Sequence, residues 1–172
     1  MNEVRMMITA MMLASGLCAC DRAEDLPPDL SGVTTERLDA TSKETWTYLD
    51  LDAPDAPDQE AGWDLKFQRQ FVRVNGEAGV EVATVDGKTI TQVDSPPDGA
   101  YHKDTGDEEG DQAFSRDDLW YDYDISVHKL APKQRTYVVL SDQGAFFKLQ
   151  FTGYYDDDGE AGHPTFYWTS FE

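Results

Sequence analysis

The sequence is poor in cysteine, in positive charge and in soft metal donors. Its two cysteines, Cys18 and Cys20, lie two positions apart near the start. No disulfide is available to the remainder of the chain, so the core has to hold the fold. All five methionines fall at Met1, Met6, Met7, Met11 and Met12. Lys and Arg total 14 against 34 Asp and Glu, a net charge of −20. A chain of that charge repels nucleic acid and anionic lipid headgroups, so no nucleic-acid partner is expected. The acids are spread along the chain, which reads as a solvated acidic surface rather than an interaction tail. No nucleophile elbow, zinc signature or phosphate loop occurs, and no catalytic residues are expected. A carboxylate pair drawn from so many acids carries no information.

What is present begins with a targeting segment. Arg5 precedes the apolar run Met6–Leu17, which is too short to span a bilayer as a stable helix. The run ends in Leu17-Cys18-Ala19-Cys20, an aliphatic residue, a variable one, a small one and then Cys, the pattern of a bacterial lipoprotein signal. Cys20 fits the lipidated position and Cys18 does not, because bulky Leu17 precedes it. The expected division is a signal peptide over 1–19, a lipidated Cys and tether over 20–33, and one β domain over 34–172. The lipid on Cys20 makes the membrane a partner. The expected place is the bacterial cell envelope, the outer membrane or surface ahead of the inner membrane. Asp21, beside the lipid site, is a residue that favours inner-membrane retention in some bacteria.

Residues 34–172 read as all-β, a single antiparallel domain with little helix; 40% hydrophobic content is enough for a real core. The stretch 34–40 is left open between a short strand and one helical turn. Thr45–Leu51 reads as a strand, covered on both faces. Trp63–Gly76 reads as one long strand whose apolar phase flips near Arg69–Phe71, predicting a bulge or bend. Asp86-Gly87 predicts a two-residue hairpin joining strands over 80–85 and 88–93. Asp94–Gln112, with Pro96-Pro97 and an acidic run, reads as a mobile loop or lid. Leu119–Val127 alternates, which predicts a strand with Leu119, Tyr121, Tyr123, Ile125 and Val127 on one face. A meander closes the chain, with strands over 136–140, 146–152 and 165–171.

Several pieces together resemble the HmuY-like family of bacterial lipoproteins. They are Leu38-Asp-Ala-Thr41, Trp46-Thr-Tyr48, Trp63-Asp-Leu-Lys-Phe67 and Arg73-Val-Asn-Gly76, followed by Phe146-Phe-Lys-Leu149, Tyr154-Tyr155 and Thr165-Phe-Tyr-Trp168. The resemblance covers roughly 34–171. It implies an all-β, hand-shaped fold and a haem ligand held by two axial His or, in some relatives, by Met. Here Asn75-Gly76 runs into Glu77-Ala78-Gly79 rather than a second adjacent glycine, and no histidine falls on a matching axial-ligand motif.

Haem ligation needs His, Met, Cys or Tyr. With Met confined to the signal and Cys20 lipidated, His102, His128 and His163 are the haem-ligand candidates, with Tyr in reserve. The plainer accounts are an exposed loop residue for His102, a side chain bonded to a cross-strand Asp or a backbone carbonyl for His128, and a hairpin-tip residue for His163. The metal content is left unknown. Asp104–Asp111 and Asp156–Glu160 offer hard oxygen donors for calcium without EF-hand spacing, and acidic turns are the plainer account. The expectation is a lipid-anchored envelope protein that binds and passes on haem or another tetrapyrrole. The alternative is a non-haem member of the same scaffold, serving an envelope protein partner or a structural role.

Overall fold

The computed structural model describes residues 29–171 apart from 57, 100, 107, 108 and 117. The predicted signal peptide, Cys20 and most of the tether lie outside the described residues. The strands are β1 (Thr34–Arg37), β2 (Thr47–Leu49), β3 (Leu65–Gln68), β4 (Phe71–Val74), β5 (Glu81–Asp86), β6 (Tyr121–Asp124), β7 (Lys129–Pro132), β8 (Arg135–Leu140), β9 (Phe146–Tyr155) and β10 (Ala161–Ser170). Every strand pairing is antiparallel. A five-stranded sheet runs β1-β10-β9-β8-β5, a three-stranded sheet runs β2-β3-β4, and β6-β7 form a separate hairpin. The only helical elements among the described residues are two short 3₁₀ turns, and none is long and apolar enough to cross a membrane.

The core lies between the two larger sheets. Alternation along β9 sends Phe147, Leu149 and Phe151 inward. Phe67 of β3 stacks on Phe166 of β10 at 5.6 Å, which locks one sheet onto the other. Trp120, just before β6, stacks on Phe151 at 4.4 Å. β8 is an interior strand of its sheet, between β9 and β5, and is buried on both faces from Arg135 to Val139. Burial pushes the Tyr137 hydroxyl up to about 12.

Four expectations are corrected. The phase flip in Trp63–Gly76 is neither bulge nor bend but a two-residue hairpin turn, Arg69-Gln70, between β3 and β4. Arg69 sits at φ 54, a left-handed conformation that costs a non-glycine residue about 1–2 kcal/mol. It is held there by its own N–H to Ala40 O at 2.7 Å and by its guanidinium, which donates to Thr41 O and Ala161 O.

The segment after Asp86-Gly87 is not a strand. Ile90–Gln92 form a 3₁₀ turn, and β5 pairs with β8 instead. Ile90 and Val93 are both buried, and three-residue spacing puts two side chains on one face of a 3₁₀ turn but on opposite faces of a strand. The segment crosses the outer face of the five-stranded sheet, where Gln150 accepts the Ile90 N–H at 2.8 Å and Lys88 O accepts the Thr136 hydroxyl at 3.1 Å.

The predicted lid is pinned where it is described. His102 exchanges both backbone hydrogen bonds with Val82, and the Asp104 carboxylate accepts the N–H groups of Val74 and Ala113.

Leu119–Val127 is not one strand. It turns at 125–128, and its buried aromatic is Trp120, from the opposite phase. Tyr123, Ile125 and Val127 are exposed because the hairpin tip leaves the core behind. The stretch left open at 34–40 is a strand at Thr34–Arg37.

Candidate functional site

The β6-β7 hairpin presents the exposed chemistry. Its register runs from Tyr121 opposite Pro132 to Asp124 opposite Lys129, which leaves residues 125–128 as the turn. Asp124 shapes that turn by accepting the Ser126 N–H at 2.8 Å and its hydroxyl at 2.6 Å. His128 closes it at φ 54. The base is tied down by Leu130 N–H donating to Tyr155 Oη at 2.8 Å, and by Lys133, which pairs with Asp118. At the tip Tyr123, Ile125 and Val127 are 53%, 76% and 58% exposed. Together with Phe71 they make up the large hydrophobic side chains that stay exposed among the described residues. The Tyr123 hydroxyl lies 2.7 Å from His128 Nδ1. If Nδ1 carries the proton and its N–H donates to the phenol oxygen, His128 Nε2 is left unprotonated, with a lone pair free to accept a hydrogen bond or bind a metal.

The other two histidines are elsewhere. His102 pairs with Val82 beyond the β5 edge of the large sheet, whereas His163 lies within β10. β5, β8 and β9 stand between them, a separation of about 19 Å at four strand spacings. His163 Nε2 is 3.6 Å from Asp156 Oδ2, and the residue sits in a strand rather than at a hairpin tip. His128 bonds a tyrosine, not the cross-strand Asp or carbonyl expected of it. The five-stranded sheet therefore keeps His102 apart from His163. An imidazole at a hairpin tip that also exposes apolar side chains fits the donor chemistry of haem.

Arg69 and Arg73, two cations that could meet haem propionates, are engaged in the fold. Arg69 anchors the β3-β4 turn. Arg73 donates to Gly106 O at 2.7 Å. In an open cleft of about 510 Å³ beside it, Lys66 Nζ sits 4.8 Å from the ring centres of both Trp46 and Trp63.

The two acidic turns weighed for calcium brace the fold locally where they are described. Asp156 accepts the N–H groups of Asp158 and Glu160, Asp157 pairs with Arg37 at 3.0 Å, and Asp104 holds Val74 and Ala113. A different cluster appears instead. Asp50, Asp52 and Asp64 each place a carboxylate oxygen within 4.8 Å of the others. Asp64 is fully buried, and that burial pushes its carboxyl up to about 6. The signal was legible in principle: Leu49-Asp-Leu-Asp and Trp63-Asp-Leu set acids inside apolar stretches, unlike the exposed acidic runs.

Two packed antiparallel sheets with an accessory hairpin define an all-β, single-domain protein without a disulfide among its described residues. Three solved structures share this fold. An apo HmuY analogue from Tannerella forsythia superposes with a TM-score of 0.64 at 18% identity, covering 81% of this chain and 96% of that one. A proposed HmuY-like haem-binding protein from Bacteroides vulgatus gives 0.60 at 21% identity, covering 82% and 93%. A proposed lipoprotein from Bacteroides fragilis gives 0.59 at 20%, covering 83% and 91%. Residues 111–168 match the family model described as HmuY protein. No curated protein matches it in sequence.

Proposed function

We propose that this is a lipid-anchored envelope protein that binds haem at the tip of the β6-β7 hairpin and passes it on, without catalysing a reaction. The observation that carries the reading is the exposed tip itself, with Tyr123, Ile125 and Val127 around an imidazole that hydrogen-bonds Tyr123. Covering one aliphatic side chain of this size is worth about 1.5–3 kcal/mol, so an apolar macrocycle is a favourable occupant. His128 Nε2 would hold the haem iron, and the Tyr123 hydroxyl would orient the imidazole ring as hydrogen-bonded partners of metal-bound histidines do. The HmuY family match and the relative proposed to bind haem support the ligand class. A relative proposed to be a lipoprotein supports the anchor at Cys20.

The test is a haemin titration of soluble Asp21–Glu172 followed by its Soret band, repeated on His102→Ala, His128→Ala and His163→Ala. A saturable one-to-one spectrum lost in His128→Ala alone is expected. A flat titration, or one indifferent to His128, overturns the haem reading in favour of a scaffold that serves a protein partner. Fatty-acid labelling of whole cells that is lost in Cys20→Ser tests the anchor.

A further inference from the structure

We propose that the cleft on the outer face of the β2-β3-β4 sheet binds a neutral oligosaccharide, independently of the β6-β7 hairpin. Leu49, Leu65, Phe67, Val72 and Val74 of these strands turn into the core. Alternation therefore sends Tyr48, Lys66 and Arg73 outward in one row, with Tyr48 opposite Lys66 and Lys66 opposite Arg73. Trp46, two residues before Tyr48, and Trp63, at the entry to β3, border the cleft of about 510 Å³ beside this row. That volume falls in the range of about 300–1,000 Å³ usual for ligand sites.

Two of the chain's four tryptophans are thus kept half-buried at the surface, whereas Trp120 and Trp168 are in the core. Both surface indoles are held in place. Trp63 O accepts the Asn75 Nδ2 hydrogen bond at 3.0 Å, and Tyr48 meets the Trp63 ring edge-on at 5.8 Å. Trp46 leaves a turn in which Ser42 Oγ accepts the Thr45 N–H at 3.0 Å. Lys66 Nζ stands 4.8 Å from both ring centres, so the two rings lie no more than twice that distance apart. Aromatic walls fixed before a ligand arrives lose little entropy when it binds.

The polar groups of the cleft select the ligand class. Two cations, Lys66 and Arg73, and two acids, Glu77 and Asp104, border it, so its formal charges balance in a chain whose net charge is −20. Arg73 and Asp104 are engaged with Gly106 O and with the Val74 and Ala113 N–H groups. The Lys66 ammonium, the Glu77 carboxylate and the Thr105 hydroxyl make no hydrogen bond or ion pair among the described residues. They offer donors and acceptors side by side between indole walls. A sugar answers both features, with C–H faces that pack on an indole and a rim of hydroxyls that donate and accept. A flat apolar ligand would leave the ammonium and the carboxylate unmet. An anion would face Glu77, Asp104 and the field of the whole chain.

The full chain, purified in a detergent without a sugar headgroup, is titrated with oligosaccharides of glucose, of mannose and of N-acetylglucosamine, and with an oligogalacturonate as the acidic control. Calorimetry and tryptophan emission report binding. Saturable binding of at least one neutral series, with a change in emission, is expected. Lys66→Met keeps the stem beside the indoles and removes the donor, so it should weaken binding roughly tenfold or more, as should Trp46→Ala. Circular dichroism checks each fold, and Thr105→Val, at an exposed position outside the strands, keeps the test decisive if Trp46→Ala does not fold. Absence of saturable binding up to millimolar sugar overturns the site. Binding of the oligogalacturonate alone overturns the neutral ligand class. Equal binding in the wild type, Lys66→Met and Thr105→Val overturns the site in favour of another surface.

Discussion

Asp64 and Asp142 are joined across the two larger sheets: the backbone N–H of Asp142, in the turn between β8 and β9, donates to Asp64 Oδ1 at 3.0 Å. Leu51 N–H donates to Oδ2 of the same carboxylate at 2.8 Å. One buried side chain therefore fixes the exit of β2, the entry of β3 and a turn 78 residues away. Asp64→Ala leaves two backbone donors unpaired, at about 1–3 kcal/mol each, less the relief of removing a buried carboxylate. A net loss of about 2–4 kcal/mol in urea denaturation is expected, with Asp64→Asn milder because it keeps one carbonyl acceptor.

The same carboxyl shapes the pH response of the protein. Its folded value of about 6 lies above its ordinary 3.8, so the folded state holds the proton more tightly than the unfolded state. Stability should therefore rise as pH falls from about 6 to about 4. Below that range it should fall. The Lys133 hydrogen bond to Asp118 and the Arg37 hydrogen bond to Asp157 hold those carboxyls below their ordinary value, and their contribution is lost on protonation. Denaturation midpoints across pH and a carbon-detected NMR titration of Asp64 check both limbs; a midpoint near 4 for Asp64 contradicts the first.

Arg69 and Gly162 meet at the junction of β3, β10 and the segment after β1. Arg69 is left-handed and anchored through its side chain, so Arg69→Ala loses the anchor and keeps the strain. Arg69→Gly loses the anchor and relieves the strain. Thermal melts should rank the alanine variant below the glycine variant by about 1 kcal/mol. Gly162 has φ 103, and an added Cβ would stand 3.0 Å from both Arg69 Nη1 and Thr41 Cα. Gly162→Ala is expected to destabilise by about 1–3 kcal/mol for the backbone conformation, and by more once the contact is added.

At the hairpin, binding and stability should separate. Ile125 is 76% exposed, so Ile125→Ser should change unfolding free energy by no more than about 0.5 kcal/mol. The same change removes apolar cover from the proposed haem face, so a weaker haemin titration at unchanged Tm is expected. An unchanged titration argues that the macrocycle does not rest on this tip.

Period-two alternation was enough to read the closing meander, because β9 and β10 each have one buried and one more exposed face, and side-chain phase alone decides which residues turn inward. Cysteine placement, methionine placement and the acid count were equally legible, and with them the exclusions they support. Periodicity could not show where a strand leaves the core. Tyr123, Ile125 and Val127 keep perfect alternation, but the hairpin carries them past the edge of the sheets. It could not separate a bulge from a hairpin at Arg69-Gln70, since both invert the phase. Nor could it bring Asp50, Asp52 and Asp64 together: their oxygens meet only because β2 and β3 pair and the loop between them closes. Local pattern and composition carry the class of fold; which acids lie together and which imidazole meets a tyrosine is decided by the tertiary structure, because proximity across a folded chain depends on register and packing rather than spacing.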